Sequence, residues 1–526
     1  MTQQDWWRGA VIYQIYPRSF QDADGDGMGD LKGITQRLDH VARLGVDAIW
    51  VSPFFKSPMA DMGYDVSDYC DVDPTFGTLD DFEAMVARAH ELGLKVIIDQ
   101  VFSHSSDQHP FFEESRSSRD NPKHDWYVWA DPRPDGSPPS NWQAIFGGPA
   151  WTWDVRRRQY YFHQFLPQQP DLNAHNPEVQ EWILETMEFW LEKGIDGFRL
   201  DAINHLFHDA ELRDNPPDWR PKSEPDYKPF EMQYPIMSKN QPETLVFLER
   251  VRALLDRYGA TSVGEIGEGH HPVERLMEYT APGRLHMGYS LALTGAEFTP
   301  EHIRTQLEDM FAGGDGWPCW AFSSHDHNRP VTRWARYGAS PEAMAKLTAS
   351  ILLTLPGSIC MYQGEELGLP DTELERHEIV DPEGKAFWPH VKGRDMSRTP
   401  MVWEAAAPNA GFSQANSTWL PVKPPQAERA VDTQEGVGGS VLETVRALLA
   451  LRKDPALRGA ETVFHDVPDP VLAYTRGDKF LCVFNIGAEP VHLSDLPLGE
   501  AVLTIDAEAG ETLCLGPNGV WIGHTA

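Results

Sequence analysis

The chain has 526 residues, 41% hydrophobic and 24% charged, so it can bury a sizeable core but is too long for one ordinary domain. A formal net charge of −34 argues against nucleic acid, an anionic membrane surface or a polyanionic substrate, and fits a solvated surface and a neutral ligand. The five cysteines (Cys70, Cys319, Cys360, Cys482, Cys514) are scattered with no Cys-x-x-Cys pair, as expected of reduced thiols rather than a disulfide framework or zinc site.

The first twenty residues lack a charged segment followed by an apolar one, and no run of about 20 apolar residues occurs, so a cytoplasmic protein without a membrane span is expected. Apolar runs at 11–16, 47–51, 95–98, 197–200, 261–263, 285–289, 319–322 and 358–362 read as strands. They are nearly continuous, which a parallel sheet covered on both faces requires. Helical spacing links them: Ile34, Leu38, Val41 and Leu44, then Val179, Trp182, Ile183, Met187, Trp190 and Leu191. Ser340-Pro341-Glu342 reads as a helix start, with a capping side chain, Pro at the first helical position and an acid at the positive end. Eight strand–helix units predict an α/β fold of the (β/α)8 barrel type; a doubly wound sheet is the alternative, but no glycine-rich phosphate turn follows the first strand.

The stretch between the third and fourth strands is far longer than a connection needs and is rich in Pro and aromatics, among them Phe111, Phe112, Trp126, Trp129, Trp142, Trp151 and Trp153. A second polar, proline-rich stretch runs from 370 to 435. After Asp454 the pattern becomes strands and turns: a Gly-Asp turn at 477–478 lies between two strand-like runs, and Asn518-Gly519 is a hairpin signal.

In such a barrel the chemistry lies at the C-terminal ends of the strands. There the third run leads into Asp99 and His104, the fourth into Arg199 and Asp201, the fifth into Glu265, and the seventh into Ser323-Ser324-His325-Asp326. One acid at a strand end means little, but four strands delivering acids, His and Arg to one rim point to a reaction site. Arg199 and Asp201, two apart on a strand, face the same way, and Arg beside Asp favours an ionised, low-pKa carboxylate. A glycosidic nucleophile requires that, and a second carboxyl to protonate the leaving oxygen completes the minimum kit; Asp201, Glu265 and Asp326 supply three. Near the N-terminus, Asp22-Ala23-Asp24-Gly25-Asp26-Gly27-Met28-Gly29-Asp30 resembles half an EF-hand loop, without the closing Glu; a solvated acidic turn is the alternative.

These segments resemble the four signature regions of the α-amylase superfamily, glycoside hydrolase family thirteen. Gln169-Pro170-Asp171-Leu172-Asn173 resembles the extra signature of its oligo-1,6-glucosidase and α-glucosidase branch, and the similarity runs from Tyr13 to the C-terminal β region. The resemblance implies a barrel (1–103, 174–369 and 440–456) with a domain B inserted after strand three (104–173), a subdomain after strand eight (370–439) and a C-terminal antiparallel β-sandwich (457–526). It makes Asp201 the nucleophile, Glu265 the general acid/base and Asp326 the transition-state stabiliser. It places His104 and His325 on hydroxyls of the glucose in subsite −1, with Arg199 steering the nucleophile and Tyr64 stacking on the sugar. Asp61 is expected to pair with Arg398 and hold O4 and O6, closing the pocket behind one glucose; a structural ion pair between loops is the alternative. Phe146 and Phe165 are implied pocket walls, with core packing as the alternative. One structural Ca²⁺ or Mg²⁺ is implied at Asp22, Asp24, Asp26, Asp30 and the Met28 carbonyl. Two positions depart from the family pattern: Ser103, where Asn often precedes the His, and Ser324, where Asn is common.

The activity implied is that of a retaining, exo-acting α-glucosidase on small neutral α-glucosides, acting as a monomer or homodimer. Ala202, after the nucleophile position, favours α-1,4 over α-1,6 linkages. A sucrose-cleaving, isomerising or transferring member of the family remains open, although His327-Asn328-Arg329-Pro330 does not show the basic loop usual in sucrose isomerases. A non-catalytic transporter heavy chain shares the barrel but carries a transmembrane helix and lacks part of the catalytic set.

Overall fold

The computed structural model describes residues 5–220, 227–267, 269–312 and 314–526. Eight parallel strands close into a barrel: β1 (Val11–Ile15), β2 (Ala48–Val51), β3 (Lys95–Val101), β4 (Gly197–Asp201), β5 (Thr261–Glu265), β6 (Met287–Ser290), β7 (Pro318–Trp320) and β8 (Ser358–Tyr362). Closure comes from β8 pairing with β1, Val11 opposite Ile359. Strand residues alternate between two apolar layers. Ile12, Ala48, Trp50, Ile97, Val263, Met287, Tyr289, Cys319 and Cys360 fill the interior. Val11, Tyr13, Ile49, Val96, Ile98, Phe198, Leu200 and Met361 face the surrounding helices. Both faces being dry is why the runs show no polar alternation. The strands differ from expectation mainly at their ends: β3 and β5 run on to Val101 and Glu265, β6 starts at Met287, and β7 stops at Trp320.

Side-chain caps open several of the helices, among them the one predicted at Ser340. Asp30 accepts the Gly33 amide to start Leu31–Leu44, which ends at Gly45 in the left-handed region (φ 94°). Ser340 accepts the Ala343 amide to start Pro341–Thr354. Between β3 and β4 the aromatic-rich insert forms a three-stranded sheet (Trp129–Ala130, Trp151–Asp154, Gln159–Phe162), with a small core of its own around Trp142, Trp151 and Phe162. Among the described residues no helix is long and apolar enough to cross a membrane.

Beyond the barrel, β9 (Thr462–Phe464), β10 (Val471–Arg476), β11 (Phe480–Asn485), β12 (Val491–Leu493), β13 (Leu498–Ala509) and β14 (Leu513–Thr525) form one antiparallel sheet in the order β9-β10-β11-β14-β12, with β13 also on β14. Gly477 (φ 57°) supplies the turn between β10 and β11. Leu472, Tyr474, Cys482, Phe484, Val520 and Ile522 merge with the barrel's outer core, while Val471, Ala473, Leu481, Val483 and Trp521 pack on the far face. Asn518-Gly519 is not a hairpin. It lies inside β14, where Val520 pairs with Ile505 but Leu515 pairs with Ala507, so the residues between leave the ladder as a bulge. The bulge bends one long strand so that its two halves pair with β12 and β11.

Candidate active site

The ends of β3, β4 and β5 bring three carboxyl groups onto one buried guanidinium. Arg199 Nη1 donates to Asp201 Oδ1 at 2.6 Å and to Asp99 Oδ1 at 2.9 Å. Its Nη2 lies 2.6 Å from Glu265 Oε2, an ion-pair contact rather than an aligned hydrogen bond. Glu265 Oε2 also accepts the Ala202 amide at 3.0 Å. That amide is aimed by a left-handed Ala202 (φ 39°), a strained conformation for a residue with a Cβ, where the chain leaves β4 for the short turn Ile203–His205.

One cation among three acids changes the electrostatics expected from Arg199 and Asp201 alone. Burial pushes the Asp201 carboxyl well above the usual range; Arg199 pulls it down, and repulsion from Glu265 and Asp99 adds to burial. Asp99 is pushed up to about 6, by burial against the pull of Arg199. The expectation of a low-pKa Asp201 therefore fails in the free protein, because burial, joined by repulsion from Glu265 and Asp99, outweighs the pull of Arg199.

Asp326 is the opposite case. Burial alone would raise it, but the His325 imidazole, Arg394 and Arg398 outweigh burial and hold it well below the usual carboxylate range. Arg398 donates Nη2 to Asp326 Oδ1 at 2.8 Å and Nε to the His325 carbonyl at 2.7 Å. Arg398 is not the partner of Asp61. That partner is Arg394, whose Nη2 donates to Asp61 Oδ1 at 2.7 Å. Arg394 Nη1 also reaches Asp326 Oδ1 at 3.3 Å, and its Nε donates to Asp381 Oδ1 at 2.8 Å. The two arginines flank the turn Asp395–Ser397, which leaves Arg394 on the cavity wall and Arg398 fully buried behind it.

The Tyr64 and His325 rings are stacked (centroids 5.5 Å apart, 5° between planes), with Tyr64 Oη 2.6 Å from His325 Nε2. Burial holds His325 well below its ordinary pKa, so the ring is uncharged near neutrality, where Arg394 and Arg398 are the cations that keep Asp326 ionised. His104, pushed down to about 4 by burial, has Nε2 3.0 Å from the Tyr64 carbonyl and 3.1 Å from Gln169 Nε2. Each departure from the family pattern has a local partner. The Ser103 hydroxyl lies 2.9 Å from His104 Nδ1, and Ser324 Oγ accepts the Asp326 amide at 3.1 Å.

These groups surround a cavity of about 290 Å³. Of the residues predicted for the site, Asp61, Tyr64, His104, Phe146, Phe165, Asp201, Glu265 and Asp326 line it; Arg199, His325 and Arg398 stand behind the wall. Phe146 packs under the Arg394 guanidinium at 4.9 Å, and Phe165 contacts both Phe146 and His104. Sequence reasoning missed Arg394, Asn204, His205, Lys228 and Glu383, which also line the cavity. Arg394 lies only four residues before the predicted Arg398, whereas Lys228 and Glu383 lie in stretches with no motif.

Away from the cavity, Asp22, Asp24 and Asp30 each present an oxygen within 4.8 Å of the others, Asp22 and Asp30 buried and Asp24 exposed. Asp26 lies outside this cluster: it is exposed and accepts the Met28 amide at 2.7 Å. Among the described residues no Lys or Arg forms an ion pair with the three clustered acids.

Comparison with known proteins identifies the family. Residues 14–460 match the alpha-amylase family's catalytic domain. A probable alpha-glucosidase of Rhizobium meliloti is 54% identical over 507 residues, covering 94% of this chain and 92% of the relative. An oligo-1,6-glucosidase of Parageobacillus thermoglucosidasius is 36% identical over 535 residues, covering 94% and 92%. Among solved structures, the alpha-glucosyl transfer enzyme XgtA superposes with a TM-score of 0.94 at 51% identity, over 99% of each chain. The trehalulose synthase MutB of Pseudomonas mesoacidophila gives 0.89 at 32% identity, over 99% of each chain. The chain therefore belongs to the α-amylase family of glycoside hydrolases, in the branch that holds α-glucosidases and oligo-1,6-glucosidases.

Proposed function

We propose that the protein is a retaining, exo-acting α-glucosidase that releases the terminal non-reducing glucose of short α-glucosides such as maltose, with α-1,4 linkages preferred. Asp201 attacks the anomeric carbon while Glu265 protonates the glycosidic oxygen; Glu265 then takes a proton from water, which hydrolyses the glucosyl–Asp201 ester. Asp326 stays ionised and stabilises positive charge developing on the sugar ring. The observation that carries the exo reading is the Asp61–Arg394–Asp381 array, with Asp326 on the same guanidinium. A charged wall of this kind suits the terminal O4 and O6 of one glucose. Ala202 on the cavity wall supports the linkage preference. The similarity to a glucosyl transfer enzyme supports a second outcome on the same intermediate, in which a sugar replaces water as acceptor.

A divalent cation, Ca²⁺ or Mg²⁺, fits the acidic turn: three carboxylate oxygens converge there, two of them on buried side chains. Asp22, Asp24 and Asp30 would hold it, and its contribution would be to stability rather than to the reaction. Five free cysteines, three of them buried, support a reducing compartment such as the cytoplasm.

The test is a comparison of maltose, isomaltose, sucrose, trehalose and starch, with product anomers read early by NMR. Maltose should lead starch widely, with α-glucose released from the non-reducing end. Arg394→Ala should cost about 2–5 kcal/mol in kcat/KM even on maltose, because it strands the buried charge of Asp61. β-Glucose, or equal rates on a chain blocked at its non-reducing end, would overturn the reading.

A further inference from the structure

Gln14 lies on β1, outside the cavity, yet it reaches one of the site's side chains. Ile12 faces the barrel interior, so Gln14, two residues on, faces the same way, and it is fully buried. Its Nε2 lies 2.7 Å from His325 Nδ1 and donates to Ser52 Oγ at 3.1 Å, just past the end of β2. Its Oε1 has no hydrogen-bond partner among the described residues. The His325 ring is packed against Tyr16, Tyr64 and Trp50, with centroids 5.5, 5.5 and 6.1 Å away. It is therefore held with Nδ1 toward Gln14 and Nε2 toward Tyr64.

The second nitrogen is the one on the cavity side. His325 Nε2 lies 2.6 Å from Tyr64 Oη and 3.2 Å from Asp326 Oδ2, and both of those residues line the cavity. An uncharged imidazole carries one N–H, on Nδ1 or on Nε2, and its neighbours decide which. Asp326 is ionised and can only accept, so a bare Nε2 beside it would set lone pair against lone pair, and a hydrogen there removes the repulsion. Tyr64 agrees. Its hydroxyl donates to Asp99 Oδ2 at 3.2 Å, which leaves the phenol oxygen to accept from Nε2. With the hydrogen on Nε2, Nδ1 is an acceptor, and the Gln14 amide is turned to match: one of its N–H bonds goes to Ser52 Oγ and the other to Nδ1. The reversed amide would set Oε1 against Nδ1 and call for the other tautomer.

We propose that Gln14 is a positioning residue that locks His325 into the Nε2–H tautomer, so that the ring's one N–H is on the cavity side, available to a hydroxyl of the bound sugar. Gln14 acts only through His325 and touches no substrate. The sugar contact rests on the α-glucosidase reading; the tautomer does not.

Two measurements test this. A neutron structure of protein crystallised from D2O should show deuterium on His325 Nε2, none on Nδ1, and an ND2 group on the side of Gln14 that faces Nδ1. Deuterium on Nδ1 would overturn the proposal, and this arm needs no variant to fold. The second measurement is a double-variant cycle, read as kcat/KM on p-nitrophenyl α-glucoside. Gln14→Met keeps the length of the side chain but neither donates nor accepts. It should cost at least about tenfold in the parent, through loss of one buried hydrogen bond to the ring, and under about twofold once His325→Gln has removed that ring. Equal losses in the two backgrounds, as a merely structural role gives, would also overturn the proposal. Parent protein that released no glucose from any α-glucoside would instead sink the α-glucosidase reading and the sugar contact with it, and the neutron structure, which needs no turnover, tells that failure from a wrong tautomer.

Discussion

Arg199 is the residue on which the site's protonation turns, because Asp201, Asp99 and Glu265 all draw on its single charge. Asp99 is also held by Trp50 Nε1 and Tyr64 Oη, each at 3.2 Å, so it is fixed in place while it competes with Asp201. A carboxyl raised in the folded state favours folding at low pH; that stability is full below its ordinary pKa and lost as pH rises through the folded value. For Asp99 the window runs from about 4 to about 6. Asp326, depressed by its cationic neighbours, works in the other sense, and its contribution is lost only in strong acid. Activity follows Asp201, which must be ionised to attack. Asp99→Asn removes a competing carboxylate, gives Asp201 a larger share of Arg199, and should move the acid limb of kcat/KM to lower pH. A pH–rate profile reads this directly, and a limb that stayed in place or rose would refute the account. This site is partly legible in the sequence: residues two apart on a strand share a face, which predicts the Arg199–Asp201 contact. Asp99 and Glu265 reach the same guanidinium through the register of β3 and β5 on β4, which no local pattern encodes. Likewise, Arg394 and Arg398, four apart in sequence, look equivalent until the turn at Asp395–Ser397 sends one to the cavity and buries the other.

Elements, unlike sites, were legible wherever local chemistry decides them. Asp30 shows how one residue can serve two elements: its Oδ1 caps the helix Leu31–Leu44 through the Gly33 amide, and its Oδ2 takes the Ala23 amide of the acidic turn. Asp22 closes the same turn by accepting the amides of Gly25 at 2.6 Å and Gly27 at 2.8 Å. These bonds shape the turn but leave three carboxylates close together, so a bound cation should stabilise the first strand–helix unit by ligand-linked folding. Adding Ca²⁺ or Mg²⁺ to chelator-treated protein should raise the melting temperature. Asp24→Ala should remove most of that rise and Asp26→Ala little, since Asp24 belongs to the cluster and Asp26 does not. Equal losses in the two variants, or no cation-dependent rise in the parent, would dismiss the site. The alternation of acids pointed to such a turn; which acids converge depends on the backbone and was not readable. The same limit applies at Asn518-Gly519, where a dipeptide suited to a hairpin became a bulge because β14 was already committed on both sides.

At the scale of the whole molecule, the C-terminal sheet is joined to the barrel through the end of helix Pro341–Thr354 and the loops around it. The last carbonyls of a helix have no partner within it, and here arginines supply one. Arg452 donates Nη1 to the Leu353 and Leu355 carbonyls, each at 2.9 Å, while Arg476 on β10 reaches the Thr354 and Leu457 carbonyls. Burial pulls Arg476 down to about 10, which leaves it charged near neutrality. Tyr474 Oη lies 2.7 Å from the Thr354 hydroxyl in the same seam. The bulge in β14 adds the other half of the joint. Asn518, 1% exposed, donates Nδ2 to the Tyr337 carbonyl at 3.0 Å and to the Ile486 carbonyl at 3.2 Å, and its Oδ1 accepts the Ala339 amide at 2.6 Å. Its φ of 56° is one that Asn adopts at less cost than Ala. Asn518→Ala should therefore lose about 2–4 kcal/mol, from unmade buried hydrogen bonds and from backbone strain, and lower the melting temperature. Asn518→Gly loses the same hydrogen bonds but accepts the backbone, so its melting temperature should lie between those of the parent and the Ala variant. Asn518 is not among the residues that line the cavity, so kcat on maltose, measured well below the melting point, should stay close to the parent value in both variants. Parental stability in Asn518→Ala would show that the joint does not depend on Asn518, and a Gly variant less stable than the Ala variant would rule out the strain.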